Sequence, residues 1–339
     1  MTSSGSFDPE AKEQELLAEA TSWDISNPAG PEPGDIPTVD VGPYFATGAN
    51  VDLQLVADTL RHACEEVGFY QLVGHQIPEP LIADTFEWAR RFHDLDLATK
   101  QKINLDNPDW PVSTVGYMPV GERRLPRRAK GNLNEAFLLK GDRGVDYGDN
   151  QWLPEQDLPG FRAAIEEYGR AVSDLALRLL PVYAVALDLD RDFFAPAFET
   201  PFWRLRFTHY PPFAPNEDDE FGIAPHVDTT FFTLLLQDSP GLVIHSAQRD
   251  QWIKAPRSEN AFVVNSGELL KQWSNDRFLS TRHFANNSVA GQSRYSIPFF
   301  FNATADYPMA CLPSCHDEQN PPKYPTINYL QSQAVVQGE

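Results

Sequence analysis

Cysteine, basic residues and long apolar runs are all in short supply, and each shortage removes a class of protein. Three cysteines, Cys64, Cys311 and Cys315, cannot pair completely, so no disulfide framework is expected. Cys311 and Cys315 stand beside His316, but two thiols and one imidazole in a proline-rich stretch fall short of the four ligands of a structural zinc site. Lysine and arginine number 27 against 48 acids, a net charge of −21. Such a chain repels nucleic-acid phosphates, so no nucleic-acid partner is expected. No stretch reaches the roughly 18 consecutive apolar residues of a membrane span, so no membrane association is expected. The opening MTSSGSFDPEAKEQELL has neither the basic nor the apolar portion of a secretory signal. A reduced, cytoplasmic protein is the simplest expectation.

What remains is ordinary for a globular enzyme: hydrophobic residues make up 42% and charged residues 22% of the 339. The charge is unevenly spread. Residues 1–35 hold eight acids and one lysine, whereas GERRLPRRAK over 121–130 holds five bases and one acid. A solvated loop is the plain reading of Arg123, Arg124, Arg127, Arg128 and Lys130. The functional reading puts them at the mouth of a site, attracting an anionic small molecule.

The strongest chemical signal is His226-x-Asp228, followed 57 residues later by His283 and then by Arg294-x-Ser296. Residues i and i+2 of a strand point the same way, so His226 and Asp228 can reach one metal together. Two imidazoles and a carboxylate cap one face of a divalent iron and leave the opposite positions open, although zinc accepts the same ligands. Arg294 and Ser296 put a guanidinium and a hydroxyl on one face, a pairing suited to a carboxylate.

A lone His-x-Asp is weak evidence, but its surroundings are not. The segments PHVDTTFFTLLLQDSPGLVIH, WIKAP, AFVVNSGELLKQWSN, STRHFANN and SRYSIPFFF follow in order from Pro225. Upstream stand IPTVD from Ile36 and ACEEVGFYQLVGHQIP from Ala63. Together they resemble the isopenicillin N synthase-like group of the iron(II)/2-oxoglutarate-dependent dioxygenases over roughly residues 36 to 331. The resemblance implies that His226, Asp228 and His283 bind Fe(2+), and that Arg294 and Ser296 hold the distal carboxylate of 2-oxoglutarate with help from Tyr210. It implies O2-dependent oxidation of a small molecule: hydroxylation, desaturation or ring closure. Two departures stand out. Thr208 replaces the asparagine of the family's Asn-x-Tyr stretch, and Thr230 stands where many relatives have glycine, adding bulk that could narrow the pocket. Phe299 and Phe301, further along the strand of Ser296, are candidate pocket residues or plain core. His75, His209 and His245 lack partner spacing and are not expected to be ligands, and Leu234, Leu236, Val263 and Val264 are expected in the core.

The expected fold is mainly β with flanking helices: a double-stranded β-helix, or jelly roll, with an N-terminal helical region. An acidic extension over 1–35 carries a short helical pattern and ends in a linker, NPAGPEPGD. An N-terminal region follows over 36–150. Residues 151–200 hold a long helix with Phe161, Ile165, Tyr168, Val172, Leu175, Leu179 and Val182 at helical spacing. Eight short strands make the core over 201–310, and a C-terminal segment occupies 311–339. Three functions fit: a 2-oxoglutarate-dependent oxygenase; an iron oxidase or synthase of the same fold whose Arg294 and Ser296 grip the substrate's own carboxylate; and a non-catalytic jelly-roll binding protein. Open iron positions are useless to a binding module, which disfavours the third.

Overall fold

The computed structural model describes residues 28–108, 114–122, 130–142, 150–212, 220–286 and 291–337. The helical pattern of the acidic extension and the bases Arg123, Arg124, Arg127 and Arg128 lie outside these residues.

Twelve strands among the described residues form two sheets. Four come from the first half: β1 (Thr38–Asp40), β2 (Phe69–Val73), β3 (Gly116–Met118) and β4 (Glu135–Asp142). Eight follow Pro201, as the strand pattern there predicts: β5 (Phe202–Tyr210), β6 (Ile223–His226), β7 (Phe232–Gln237), β8 (Leu242–Ser246), β9 (Gln251–Lys254), β10 (Phe262–Ser266), β11 (His283–Ala285) and β12 (Arg294–Phe301). The major sheet runs β1-β2-β10-β7-β12-β5-β4-β3, and the minor sheet β6-β11-β8-β9. The strands before residue 150 are hydrogen-bonded into the same sheet as those after 201. The sequence regions 36–150 and 201–310 therefore share one scaffold.

Helices cover one face of the major sheet. They include α1 (Gly42–Thr47), α2 (Asn50–Glu66), α3 (Glu79–His93), α4 (Leu97–Gln101) and α5 (Phe161–Ala186). All seven residues of the expected α5 stripe are buried. Tyr183 of α5 stacks on Phe232 of the sheet at 5.0 Å, and Phe161 of the stripe stacks on Phe92 of α3 at 5.2 Å. The helix α6 (Glu268–Trp273) and the C-terminal helix α7 (Tyr329–Gln337) complete the cover, with Tyr329 against Phe202.

Side-chain alternation on β12 corrects one expectation. Phe299 and Phe301 are fully buried on the helix side, where Phe301 stacks on Phe198 at 5.1 Å and on Phe232 at 5.1 Å. Two-residue steps from Arg294 and Ser296 lead to Pro298 and Phe300, so Phe299 and Phe301 point the opposite way. They are core and do not line the cavity.

The proline- and glycine-rich stretch before Asp35 also differs from its reading as a linker. Ala29 pairs with the edge strand β9, its N–H donating to the Trp252 carbonyl at 2.8 Å and its carbonyl accepting from Lys254 at 3.0 Å. Arg249 grips Asp35 at 2.6 Å. An open strand edge satisfies its backbone by pairing, and a short extended segment suffices for that.

The core assignment of Phe301 is open to test. Phe301→Ala should destabilise the protein by about 3–5 kcal/mol, the usual cost of emptying a buried aromatic site. Denaturant unfolding measures this, and a loss of under about 1 kcal/mol would contradict the packing described.

Candidate metal and cosubstrate site

The minor sheet brings the two histidines together. His226 ends β6 and His283 begins β11, and the two are direct cross-strand partners with ring centroids 4.4 Å apart. Each ring is fixed by its inner nitrogen. His226 Nδ1 donates to the Ala224 carbonyl at 2.8 Å, and His283 Nδ1 donates to the Thr281 carbonyl at 3.1 Å. Both Nε2 lone pairs are thereby left facing outward from those bonds. They face one carboxylate oxygen, Asp228 Oδ1, at 3.4 Å from His226 and 3.7 Å from His283.

Asp228 lies just past the end of β6, but it is anchored to the other sheet. Its second oxygen, Oδ2, accepts from Thr233 Oγ1 of β7 at 2.7 Å and from Asn265 Nδ2 of β10 at 3.0 Å. Burial alone would raise this carboxyl. Neighbouring His283 and His226 and the Thr233 hydroxyl together outweigh burial and hold it well below the usual carboxylate range. His283 is pushed down to about 4, by burial first and by neighbouring His226 second. At neutral pH an ionised carboxylate and a neutral imidazole thus already stand in metal-binding form. The Thr230 hydroxyl lies against Gly267 and 3.3 Å from the Thr233 hydroxyl.

Across the major sheet a second group assembles on the face opposite the helices. Arg294 of β12 pairs in register with Tyr210 of β5, and Ser296 lies between Thr208 of β5 and Gln237 of β7. Arg294 is 1% exposed. Its Nε donates to the Ser239 carbonyl at 3.2 Å, its Nη2 donates to Gln237 Oε1 at 3.0 Å, and its Cζ lies 4.5 Å from the centre of the Tyr210 ring. Tyr210 and Ser296 bring their hydroxyls to 3.5 Å. Gly241 permits this arrangement, because a Cβ there would come within 2.5 Å of Arg294 Nε. Arg294 Nη1, Gln237 Nε2 and the Thr208 hydroxyl are buried with no hydrogen-bond partner among the described residues. Buried donors gathered around a guanidinium fit a carboxylate, and the ligand set fits a divalent transition metal.

Sequence reasoning misses Gln237, Thr233 and Asn265. The signal available is a polar residue on the inward parity of each apolar strand. His209 has no partner by sequence spacing, yet the fold gives it one. With His93 and Glu135 it forms a second convergence of ligand-type atoms, on the helix side of the sheet. Glu135 Oε1 accepts from His209 Nδ1 at 2.8 Å, and its Oε2 accepts from Lys100 Nζ at 2.9 Å and Tyr117 OH at 2.5 Å. The Lys100 ammonium already supplies the positive charge, so this cluster is a buried structural network. It braces the site from behind, with His209 stacked on Tyr295 at 4.7 Å between centroids. His75 is likewise structural, bonded to the Asn260 carbonyl at 3.0 Å.

Residues 202–303 match the 2OG-Fe(II) oxygenase superfamily, and residues 36–155 match the non-haem dioxygenase N-terminal region named for morphine synthesis. The chain belongs to the 2OG-Fe(II) oxygenase superfamily. A 2-oxoglutarate-Fe(II) type oxidoreductase of Emericella nidulans is 34% identical over 305 residues, covering 86% of each chain. Azadirone synthase of Melia azedarach is 33% identical, covering 82% of this chain and 87% of its own. The crystal structure of a full-length Neurospora crassa protein in complex with alpha-KG and thymine superposes with a TM-score of 0.77 at 25% identity, covering 89% of this chain and 96% of that one. The protein is thus an iron(II)- and 2-oxoglutarate-dependent oxygenase with a jelly-roll core, using O2. Among the described residues no helix is long and apolar enough to cross a membrane.

The two hydrogen bonds to Asp228 Oδ2 keep Oδ1 turned toward the imidazoles. Thr233→Val and Asn265→Ala should each weaken metal binding, together by roughly 10–100-fold, as loss of such supporting contacts does elsewhere. Titration of the metal-free protein with iron(II) or manganese(II) checks this. Unchanged affinity in the double variant would remove the orienting role.

Proposed function

We propose that His226, Asp228 and His283 hold the iron(II) of this oxygenase, and that Arg294, Ser296 and Tyr210 hold the distal carboxylate of 2-oxoglutarate. The observation that carries the reading is the tautomer of the two histidines. With both Nδ1 atoms bonded to backbone carbonyls, both Nε2 lone pairs meet the same Asp228 oxygen. The order of motifs supports placing the chain in the isopenicillin N synthase-like group. When bound, iron(II) and 2-oxoglutarate supply the oxidising chemistry, reducing O2 as the cosubstrate loses carbon dioxide and becomes succinate.

The protein's own part is to bind, orient and exclude water. Arg294 is sealed from solvent, whereas the His226 side chain is 24% exposed. The substrate's target C–H accordingly approaches from the His226 side. Met118, Ala136 and Leu138 form an apolar cluster on the same face of the sheet as Thr208 and Arg206, by their register on β4 and β5. That wall suits an apolar portion of a small substrate. Hydroxylation adds one oxygen to it, whereas desaturation or ring closure removes two hydrogens.

An anionic substrate is the narrower proposal, and it rests on Arg123, Arg124, Arg127 and Arg128 in a chain that is otherwise strongly acidic. Of the five bases in this segment Lys130 is described, and it lies 3.7 Å from Glu220. Neutralising the four arginines should raise the substrate KM and flatten its salt dependence, leaving the 2-oxoglutarate KM nearly unchanged. Kinetics unchanged from those of the wild type, at low and high salt alike, would make the segment a solvated loop.

Succinate release across a panel of small molecules, with the product's mass change, tests the main reading. Arg294→Ala should raise the 2-oxoglutarate KM at least about tenfold, since a buried charged partner is typically worth roughly 2–5 kcal/mol. His283→Ala should lose both iron and turnover. Substrate oxidation by the wild type without any 2-oxoglutarate would instead assign Arg294 and Ser296 to the substrate's carboxylate.

A further inference from the structure

Gln237 closes β7, in the run FTLLLQ. Leu234 and Leu236 of that run belong to the helix-side core, so Thr233, Leu235 and Gln237 face the minor sheet. Gln237 is 7% exposed and lies directly across from Ser296. The two ends of its amide have different surroundings. A guanidinium carries only donors, so the end that meets Arg294 Nη2 at 3.0 Å must be the oxygen. The amide nitrogen meets no acceptor among the described residues. Arg294 Nη1 is in the same condition. A buried amide N–H without an acceptor is costly in a folded protein, and two such donors from contacting side chains are rare.

We propose that Gln237 is a further binding residue for the carboxylate held by Arg294. Its Oε1 orients the guanidinium, and its Nε2 donates directly to the ligand. The inference rests on the reading that Arg294 receives 2-oxoglutarate. A carboxylate accepts about four hydrogen bonds. Arg294 Nη1, the Ser296 and Tyr210 hydroxyls and Gln237 Nε2 form a donor set of matching number. Gln237 also couples the two halves of the site. Thr233, four residues earlier on the same face of β7, holds Asp228, so one strand sets the spacing between metal carboxylate and cosubstrate arginine.

The test is calorimetric titration of the manganese(II)-loaded protein without oxygen. One ligand is 2-oxoglutarate; the other is 2-oxopentanoate, which has the same carbon chain but no distal carboxylate. Gln237→Met should weaken 2-oxoglutarate by about tenfold, as loss of a hydrogen bond to a charged group does, and leave 2-oxopentanoate within about twofold. In an Arg294→Lys background, Gln237→Met should still cost affinity for 2-oxoglutarate, because direct donation does not act through the guanidinium. Equal losses for the two ligands, or no further loss in the double variant, would overturn the proposal. Equal affinity of the wild type for both ligands would instead overturn the assignment of Arg294 itself.

Discussion

The site depends on one cross-strand contact, His226 against His283, and on the tether that carries Asp228 from one sheet to the other. The histidines belong to the minor sheet, and the Asp228 side chain is held by β7 and β10 of the major sheet. The three ligand-type atoms therefore converge only if the two sheets face each other in a single register. A slip of one residue on β11 would turn His283 outward and bring Phe284 in, since alternate side chains take opposite faces. A buried imidazole and a buried carboxylate are costly without partners. Backbone carbonyls, the Thr233 hydroxyl and the Asn265 amide supply those partners, and in doing so they fix the direction in which every remaining lone pair points.

The strands that build the site also build the core. On β12, Arg294 and Ser296 face the ligand space while Tyr295, Ile297, Phe299 and Phe301 face the helices. On β7, Thr233 and Gln237 face in while Leu234 and Leu236 face out. The aromatic packing against α5 thereby holds the polar face rigid, because a strand cannot move its inward side chains without moving its outward ones. Behind β5 the same coupling is polar. Glu135 is kept ionised, against the effect of its burial, by His209, His93 and Tyr117. It ties α4, through Lys100, to β4 and β5 at the height of Tyr210.

Much of this is legible in the sequence, and the failures have physical causes. His226-x-Asp228 announces itself because two ligand-type residues sit two residues apart. His283 does not, since its partnership is created by β6–β11 pairing across 57 residues, and only the family resemblance reveals it. The eight strands after Pro201 and the long α5 stripe follow from periodicity. Phe299 and Phe301 stand at odd steps from Ser296, whereas the even steps that share its face reach Pro298 and Phe300. Thr233, Gln237 and Asn265 read as stray polar residues in apolar strands until the sheet gives each a face. The docking of Ala29 on β9 has no local signal at all, because edge pairing uses backbone groups that every residue but proline carries.

Charge bears on the deep enclosure of Arg294. With a net charge of −21 the protein repels a dicarboxylate at a distance, but that repulsion is screened within about 10 Å at 0.1 M salt. Recognition must then come from close contacts in a poorly screened interior. Arg294 is fully buried, and among the described residues no carboxylate lies within ion-pair reach of it; carbonyl and amide oxygens and the Tyr210 ring surround it instead. Burying a charge without a counter-ion costs several kcal/mol, which dipoles and a π-face offset only in part. A bound carboxylate supplies the missing counter-charge. The cation that destabilises the empty fold is therefore the same one that would favour a negatively charged ligand there against the sign of the whole molecule.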